Sequence, residues 1–179
     1  VPKLIAPTTR LHHAWLEAHT EWGPGTHEDG FGLTPADETG SPDGFAAWVS
    51  RLIADTRTTY RWIVEDGRVC GGIALRQRFD DYVSWAGHIG FGIRPTARQR
   101  GLATWALRTI LDTAQLLELD RVLLVCAADN IASAKTIERV GGTLEEIRDT
   151  EYGPARRYWI DLQPGTVTRS SHANPSTAS

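Results

Sequence analysis

The stretch IRPTARQRGLATWALRTIL, Ile93 to Leu111, decides how this chain is read. Its opening apolar run is stopped by Pro95. Beyond it Leu102, Trp105, Ala106, Thr109, Ile110, Thr113 and Leu117 recur at i, i+3, i+4 spacing, which predicts a helix over 102–118. Arg98, Arg100 and Gly101 stand where the strand gives way to that helix. A helix N-terminus leaves about four backbone N–H groups unpaired and carries roughly half a positive charge, so it favours a phosphate. Glycine removes a side chain where a ligand must approach the backbone, and the arginines add charge for phosphate oxygens. Two readings stay open on this segment alone: an anion site, or a basic helix start with no ligand.

Working outward, RVLLVCA (121–127) is a continuous apolar run of the kind expected for a strand buried on both faces. Strand, helix and strand in that order predict a crossover and a parallel step. The next segment, NIASAKTIERV, opens on Asp129 or Asn130 as a cap and closes at Gly141-Gly142, a helix between start and stop signals. Toward the N-terminus, KLIAP reads as a short strand, TTRLHHAWLEAHTEW as a helix capped by Thr8 or Thr9, and FAAWVSRLIADT as a second helix. The glycine-, proline- and acid-rich segment 23–44 between them is a long loop. YRWIVED and RVCGGIALRQRF form a hairpin about Asp66-Gly67, and SWAGHIGFGIRP is a further strand. TLEEIRDTEY and ARRYWIDL pair around Gly153-Pro154. The order is β-α-α-β-β-β-α-β-α-β-β, a mixed α/β (α+β) domain over 1–162. The polar, aperiodic residues 163–179 are expected to be a disordered tail.

Composition narrows the function classes. The 179 residues are 41% hydrophobic and 23% charged with a net charge of -3, so there is no bulk basis for binding nucleic acid or a membrane surface. No apolar run approaches the roughly 20 residues of a membrane span, and VPKLIAPTTR lacks the apolar core of a signal peptide; the expected location is cytoplasmic. Cys70 and Cys126 each sit in a strand-like run with no histidine at ligand spacing, so neither a disulfide nor a metal site is expected. Only Lys3 and Lys135 are lysines, an arginine bias typical of a GC-rich bacterial genome.

Arg98-Gln99-Arg100-Gly101-Leu102-Ala103 resembles the acetyl-coenzyme A signature Q/R-x-x-G-x-G/A of the GCN5-related N-acetyltransferase (GNAT) superfamily. The apolar-x-Pro strand end Ile93-Arg94-Pro95 before it, the later DNIASAKTIERVGG and the element order are similar as well. The resemblance implies the GNAT acyl-CoA N-acyltransferase fold, a central mixed sheet splayed between its fourth and fifth strands, with acetyl-CoA as co-substrate and no metal. It implies that the N–H groups of Gln99, Arg100, Gly101, Leu102, Ala103 and Thr104 cradle the pyrophosphate, with Arg94, Arg98 and Arg100 nearby. A bulge at Gly92 and Ile93 would open the gap for the pantetheine arm. The Ile93 N–H would stabilise the thioester oxyanion, and Asn130 would bind the pantetheine.

Direct transfer to an amine requires a neutral nucleophile and a protonated leaving thiolate, while an alkyl ammonium has a pKa of about 10.4. The tyrosine that many family members carry seven residues after the helix asparagine is Ile137 here. Ser133 is therefore the candidate donor to the thiolate. His88, where family members often carry a glutamate, is the candidate base, read as facing an open groove beside Gly90 and Gly92.

In this fold the acceptor site is implied to lie among the first two helices, their loop and the last hairpin. Glu28 and Asp29 would attract a cationic amine, and Trp85 and Tyr152 would supply aromatic walls. The expected activity is N-acetylation of a small primary amine, such as an amino acid derivative or an antibiotic, which would make the protein a resistance factor. The alternatives are a protein lysine or N-terminal acetyltransferase and a non-catalytic acyl-CoA sensor. A homodimer is left open.

Overall fold

The structure is a computed structural model and describes residues 1–24 and 29–162. The tail expected over 163–179 lies outside the described residues, as does Glu28.

Strand β1 (Lys3–Ile5) leads into helix α1 (His12–Trp22), and α2 (Pro42–Ala54) follows the loop. Helix α2 starts before the expected Phe45 because the Ser41 hydroxyl accepts the Gly44 N–H at 3.1 Å and Pro42 supplies a helix-ready φ. Strands β2 (Thr58–Glu65) and β3 (Arg68–Arg76) are joined at Asp66 and Gly67, whose φ values of 51° and 77° suit a two-residue hairpin turn.

The next segment departs from expectation. The sequence predicts a strand from Ser84, but a short helix α3 (Asp81–Ala86) forms there, and β4 is confined to Ile89–Ile93. Asp80 is the cause: its Oδ1 accepts the Val83 N–H at 2.9 Å and nucleates the turn. The remaining elements follow the expected order: α4 (Leu102–Leu116), β5 (Arg121–Ala127), α5 (Ile131–Arg139), β6 (Thr143–Thr150) and β7 (Gly153–Asp161).

The strands form two sheets, ordered β1-β2-β3-β4 and β5-β7-β6, and every ladder in them is antiparallel. The expected parting between β4 and β5 is present, but a parallel ladder across it is not. Among the described residues one isolated bridge joins the two sheets, antiparallel, between Gly87 and Leu124. The bulge expected at Gly92 and Ile93 is also absent: β3 and β4 pair in unbroken register from Leu75–Ile89 to Gly71–Ile93. The register shifts fall instead in β2 at Ile63/Val64 and in β6 at Leu144/Glu146.

The two faces of the first sheet bury different chemistry. One face packs aliphatic residues, including Ile73, Leu75 and Ile89, under Ala106, Leu107 and Ile110 of α4. The other packs Trp62 under α1 and α2 with Trp15, Phe31, Phe45 and Trp48, an aromatic cluster with ring centroids 4.7–6.3 Å apart. Trp62 and Ile63 point to opposite clusters, as strand alternation demands. These clusters hold β4 rigidly from one side and leave its other edge facing β5.

Candidate active site

The first intrahelical bond of α4 runs from the Trp105 N–H to the Gly101 carbonyl at 3.0 Å. The N–H groups of Leu102, Ala103 and Thr104 precede it and have no intrahelical acceptor, and no side chain caps the helix. The loop before them is left-handed at two places, Gln99 with φ 59° and Gly101 with φ 77°. Such a turn gathers successive N–H groups into an anion-binding concavity. A Cβ at Gly101 would meet no atom within 4 Å, so the glycine is needed for its φ and leaves open space beside the helix end.

That helix end is one end of a cleft of about 950 Å³ between the parted strands. Its walls are Ile89, Phe91, Gly92 and Ile93 of β4, Leu124, Val125, Cys126 and Ala127 of β5, and the start of α5. The orientation of the β4 backbone follows from the ladder. Arg94 donates its N–H to the Cys70 carbonyl at 2.8 Å, on the β3 side. Alternate residues of a strand present their amides to opposite edges, so the N–H groups of Ile93 and Phe91 face the cleft. An extended, amide-bearing ligand could hydrogen-bond along this edge as an added strand.

Most residues expected at a coenzyme A site converge here. Gly92, Ile93, Arg98, Gln99, Gly101, Leu102, Ala103, Thr104, Asn130 and Ser133 all line the cleft. Asn130 also caps α5, its Oδ1 accepting the Ser133 N–H at 3.2 Å. Arg98 sends its Nε to the Ile93 carbonyl at 2.9 Å, which folds the side chain along the cleft and braces the strand end.

Two expected arginines do not line it. Arg100 turns outward to Glu65, at 2.5 Å. Arg94 is 2% exposed and points into α1, with its Nε 2.5 Å from Glu21 Oε2 and an Nη2 3.2 Å from Glu17. Glu21 also accepts the Thr96 N–H at 2.6 Å. Partial burial alone would raise the Glu21 pKa, but the bonds from Thr96 and Arg94 outweigh it and hold the carboxyl at about 2. The pair clamps the β4–α4 loop to α1 and so braces the strand end at Ile93.

His88 also differs from its expected place. Its imidazole is 4% exposed, packed against Phe79 and Trp159, and does not line the cleft. Nδ1 accepts the Leu123 N–H at 2.8 Å while the His88 N–H reaches the Leu123 carbonyl at 2.7 Å. The residue pins the point where the sheets diverge. Burial, with the nearby Arg76 and Arg121, lowers its pKa to about 4. An imidazole so placed stays neutral and keeps Nδ1 occupied as an acceptor.

Gly90 and Gly92 are not open space either. They seat the loop that enters from α1: a Cβ at Gly90 would lie 2.6 Å from Asp29 Oδ1, and one at Gly92 2.9 Å from the Asp29 carbonyl. Gly72 and Gly30 make the same seat further along, against Phe31 and the Gly72 carbonyl. Asp29 and Trp22 thereby reach the cleft wall. Trp85 and Tyr152 meet each other, with ring centroids at 6.3 Å, and Tyr82 joins them, but all three are outside the cleft.

Sequence reasoning missed several lining residues. Lys135 and Arg139, at i and i+4 on α5, share one face and place two cations on the cleft. Their spacing was visible, but not the direction that the face takes. Cys126 was hidden for the same reason.

A family profile described as Acetyltransferase (GNAT) domain matches residues 19–143, more than half of the chain. The chain belongs to the GNAT acetyltransferase family. It is an acyltransferase by that membership. No curated protein sequence matches it.

Solved structures with the GNAT fold superpose over most of its length. The ribosomal L7/L12 alpha-N-protein acetyltransferase RimL, in complex with coenzyme A, has a TM-score of 0.71 at 15% identity, over 90% of this chain and 94% of that one. The Microcin C7 self immunity acetyltransferase MccE, with acetyl-CoA and AMP, gives 0.68 at 14% over 90% and 92%. The spermidine/spermine N-acetyltransferase SpeG from Vibrio cholerae gives 0.67 at 16% over 90% and 94%. Identities this low carry the GNAT fold and nothing about the acceptor.

Proposed function

We propose that this GNAT protein is an acetyl-CoA-dependent N-acetyltransferase that passes acetyl, by direct attack, to a primary amine of a small molecule. One observation carries the reading: a single cleft joins the uncapped N-terminus of α4 to the open amide edge of β4. The first suits a pyrophosphate and the second an amide-bearing pantetheine arm, and coenzyme A contains both. The fit is to the whole ligand and not to a phosphate alone.

On this reading the N–H groups of Leu102, Ala103 and Thr104, with the turn at Gln99 to Gly101, hold the pyrophosphate. The Ile93 N–H polarises the thioester carbonyl and stabilises the oxyanion that forms on attack. Ser133, on the α5 side of the cleft, donates a proton to the departing thiolate. The tyrosine position cannot take that role, since Ile137 is apolar and 1% exposed in the core. Lys135 and Arg139 provide charge for the nucleotide end.

The test is thiol release from acetyl-CoA across a library of amines, followed by mass spectrometry of the products. A mass gain of one acetyl on a small amine is the expected result. Acetylation confined to peptide N-termini or protein lysines would replace the substrate class. Tight coenzyme A binding with no thiol release would replace catalysis by sensing.

A further inference from the structure

We infer that Asp29, delivered by the loop after α1, is the catalytic carboxylate that binds the acceptor ammonium and takes its proton. The inference rests on the proposed transfer to an amine and names the group that such a transfer requires.

The geometry comes from the glycines of β4. Ile89, Phe91 and Ile93 turn their side chains to the aliphatic core under α4, so Gly90 and Gly92 face the other way. On that face Gly90 and Gly92 have no side chains, and Asp29 fills the space, its Oδ1 over Gly90 and its backbone over Gly92. Gly92 adjoins Ile93, whose N–H faces the cleft. The carboxylate thus lies over Gly90, three positions before Ile93 on the same strand, on the face opposite α4, and Asp29 is part of the cleft lining. Trp22 closes the same wall, 3.5 Å from where a Gly92 Cβ would stand.

The surroundings suit proton transfer. Asp29 is exposed where it lines the cleft, while the protein on its other sides partly desolvates the carboxylate. This desolvation pushes its pKa up; Arg76 of β3 and the Gly30 N–H, 2.9 Å from Oδ1, pull it the other way. Among the described residues Arg76 is the charged group facing it, and that guanidinium is held by the Gly87 carbonyl at 3.0 Å and lies 4.9 Å from the Tyr82 ring centroid. A carboxylate left with one partly satisfied face and an upward-shifted pKa attracts an ammonium and accepts from it more readily than a solvated aspartate.

The protons balance. The ammonium loses one proton to Asp29 and becomes a nucleophile. Its nitrogen bonds to the carbonyl carbon as the C–S bond breaks. The nitrogen then loses a second proton as the thiolate gains one, and Asp29 returns its proton to water. Ammonium and thioester thus become amide, thiol and one released proton.

The experiment uses an alkyl amine that the parent acetylates, with Asp29→Asn and Asp29→Ala. Coenzyme A affinity and thermal midpoint are measured on each variant to establish that the cleft survives. At pH 7 kcat/KM for the amine is expected to fall about 100-fold or more in both. The deficit should shrink as pH rises toward the amine pKa of about 10.4, because water then removes the proton. A deficit independent of pH, or kcat/KM within threefold of the parent at pH 7, overturns the role of Asp29 and leaves the transferase reading intact. A parent that binds coenzyme A but acetylates no amine removes that reading, and the inference with it.

Discussion

Single residues divide the site between ligand and scaffold. Gly101 belongs to the proposed coenzyme A site, with φ 77° and empty space where its side chain would be. Gly101→Glu should fold at a cost of about 1–2 kcal/mol for the left-handed backbone and lose coenzyme A affinity at least tenfold, read by calorimetry. His88 serves the scaffold. Truncation to alanine orphans the buried Leu123 N–H, so a loss of about 1–3 kcal/mol or more is expected in denaturant unfolding. Its pKa of about 4, against 6.5 unfolded, means that the unfolded chain binds the extra proton. Stability from this group is therefore complete above about pH 6.5 and is lost as pH falls to about 4. The same substitution should remove that acid sensitivity.

At the scale of elements, α4 and α5 have different tasks. Helix α4 offers unpaired amides, while α5 offers the cations Lys135 and Arg139 on one cleft-facing stripe. Lys135→Ala with Arg139→Ala should weaken coenzyme A by roughly tenfold or more, with a shallower salt dependence of binding. Dephospho-coenzyme A, which carries less charge, should lose less affinity than coenzyme A on the same change. Strand β6 is exposed along its whole length and forms the edge of its sheet. Its Glu145, Glu146, Arg148 and Asp149 place charge where another strand would pair, which protects the edge.

Across the whole molecule, the site is held between an aromatic half and an aliphatic half that share the first sheet. The clamp from Arg94 to Glu21 and Glu17 ties the cleft to the aromatic half. Because the Glu21 pKa is lowered to about 2 from 4.5, its contribution is complete above about pH 4.5 and disappears as pH falls through about 2. Glu21→Gln should lower the thermal midpoint at pH 7 and flatten its fall between those values. It should also weaken coenzyme A, since the loop that carries Ile93 to Gly101 is released.

The sequence alone determined the order of elements apart from α3, the helix start proposed for the donor and the turn residues, because each depends on contacts a few positions apart. Thr8, Asn130 and Asp66-Gly67 act within their own turns, and the period of 102–118 is written along one helix. The Asp80 cap was equally local, and it was obscured by the apolar residues that follow. Tertiary structure decided what depends on pairing between distant segments. It turned Arg94 and Arg100 away from the cleft, since Glu21 and Glu65 lie far off in the chain and are stronger partners than water. It buried His88 between two sheets whose separation no local pattern encodes. And it filled the glycine face of β4 with Asp29, because the space left by missing side chains is taken by whichever segment packs there.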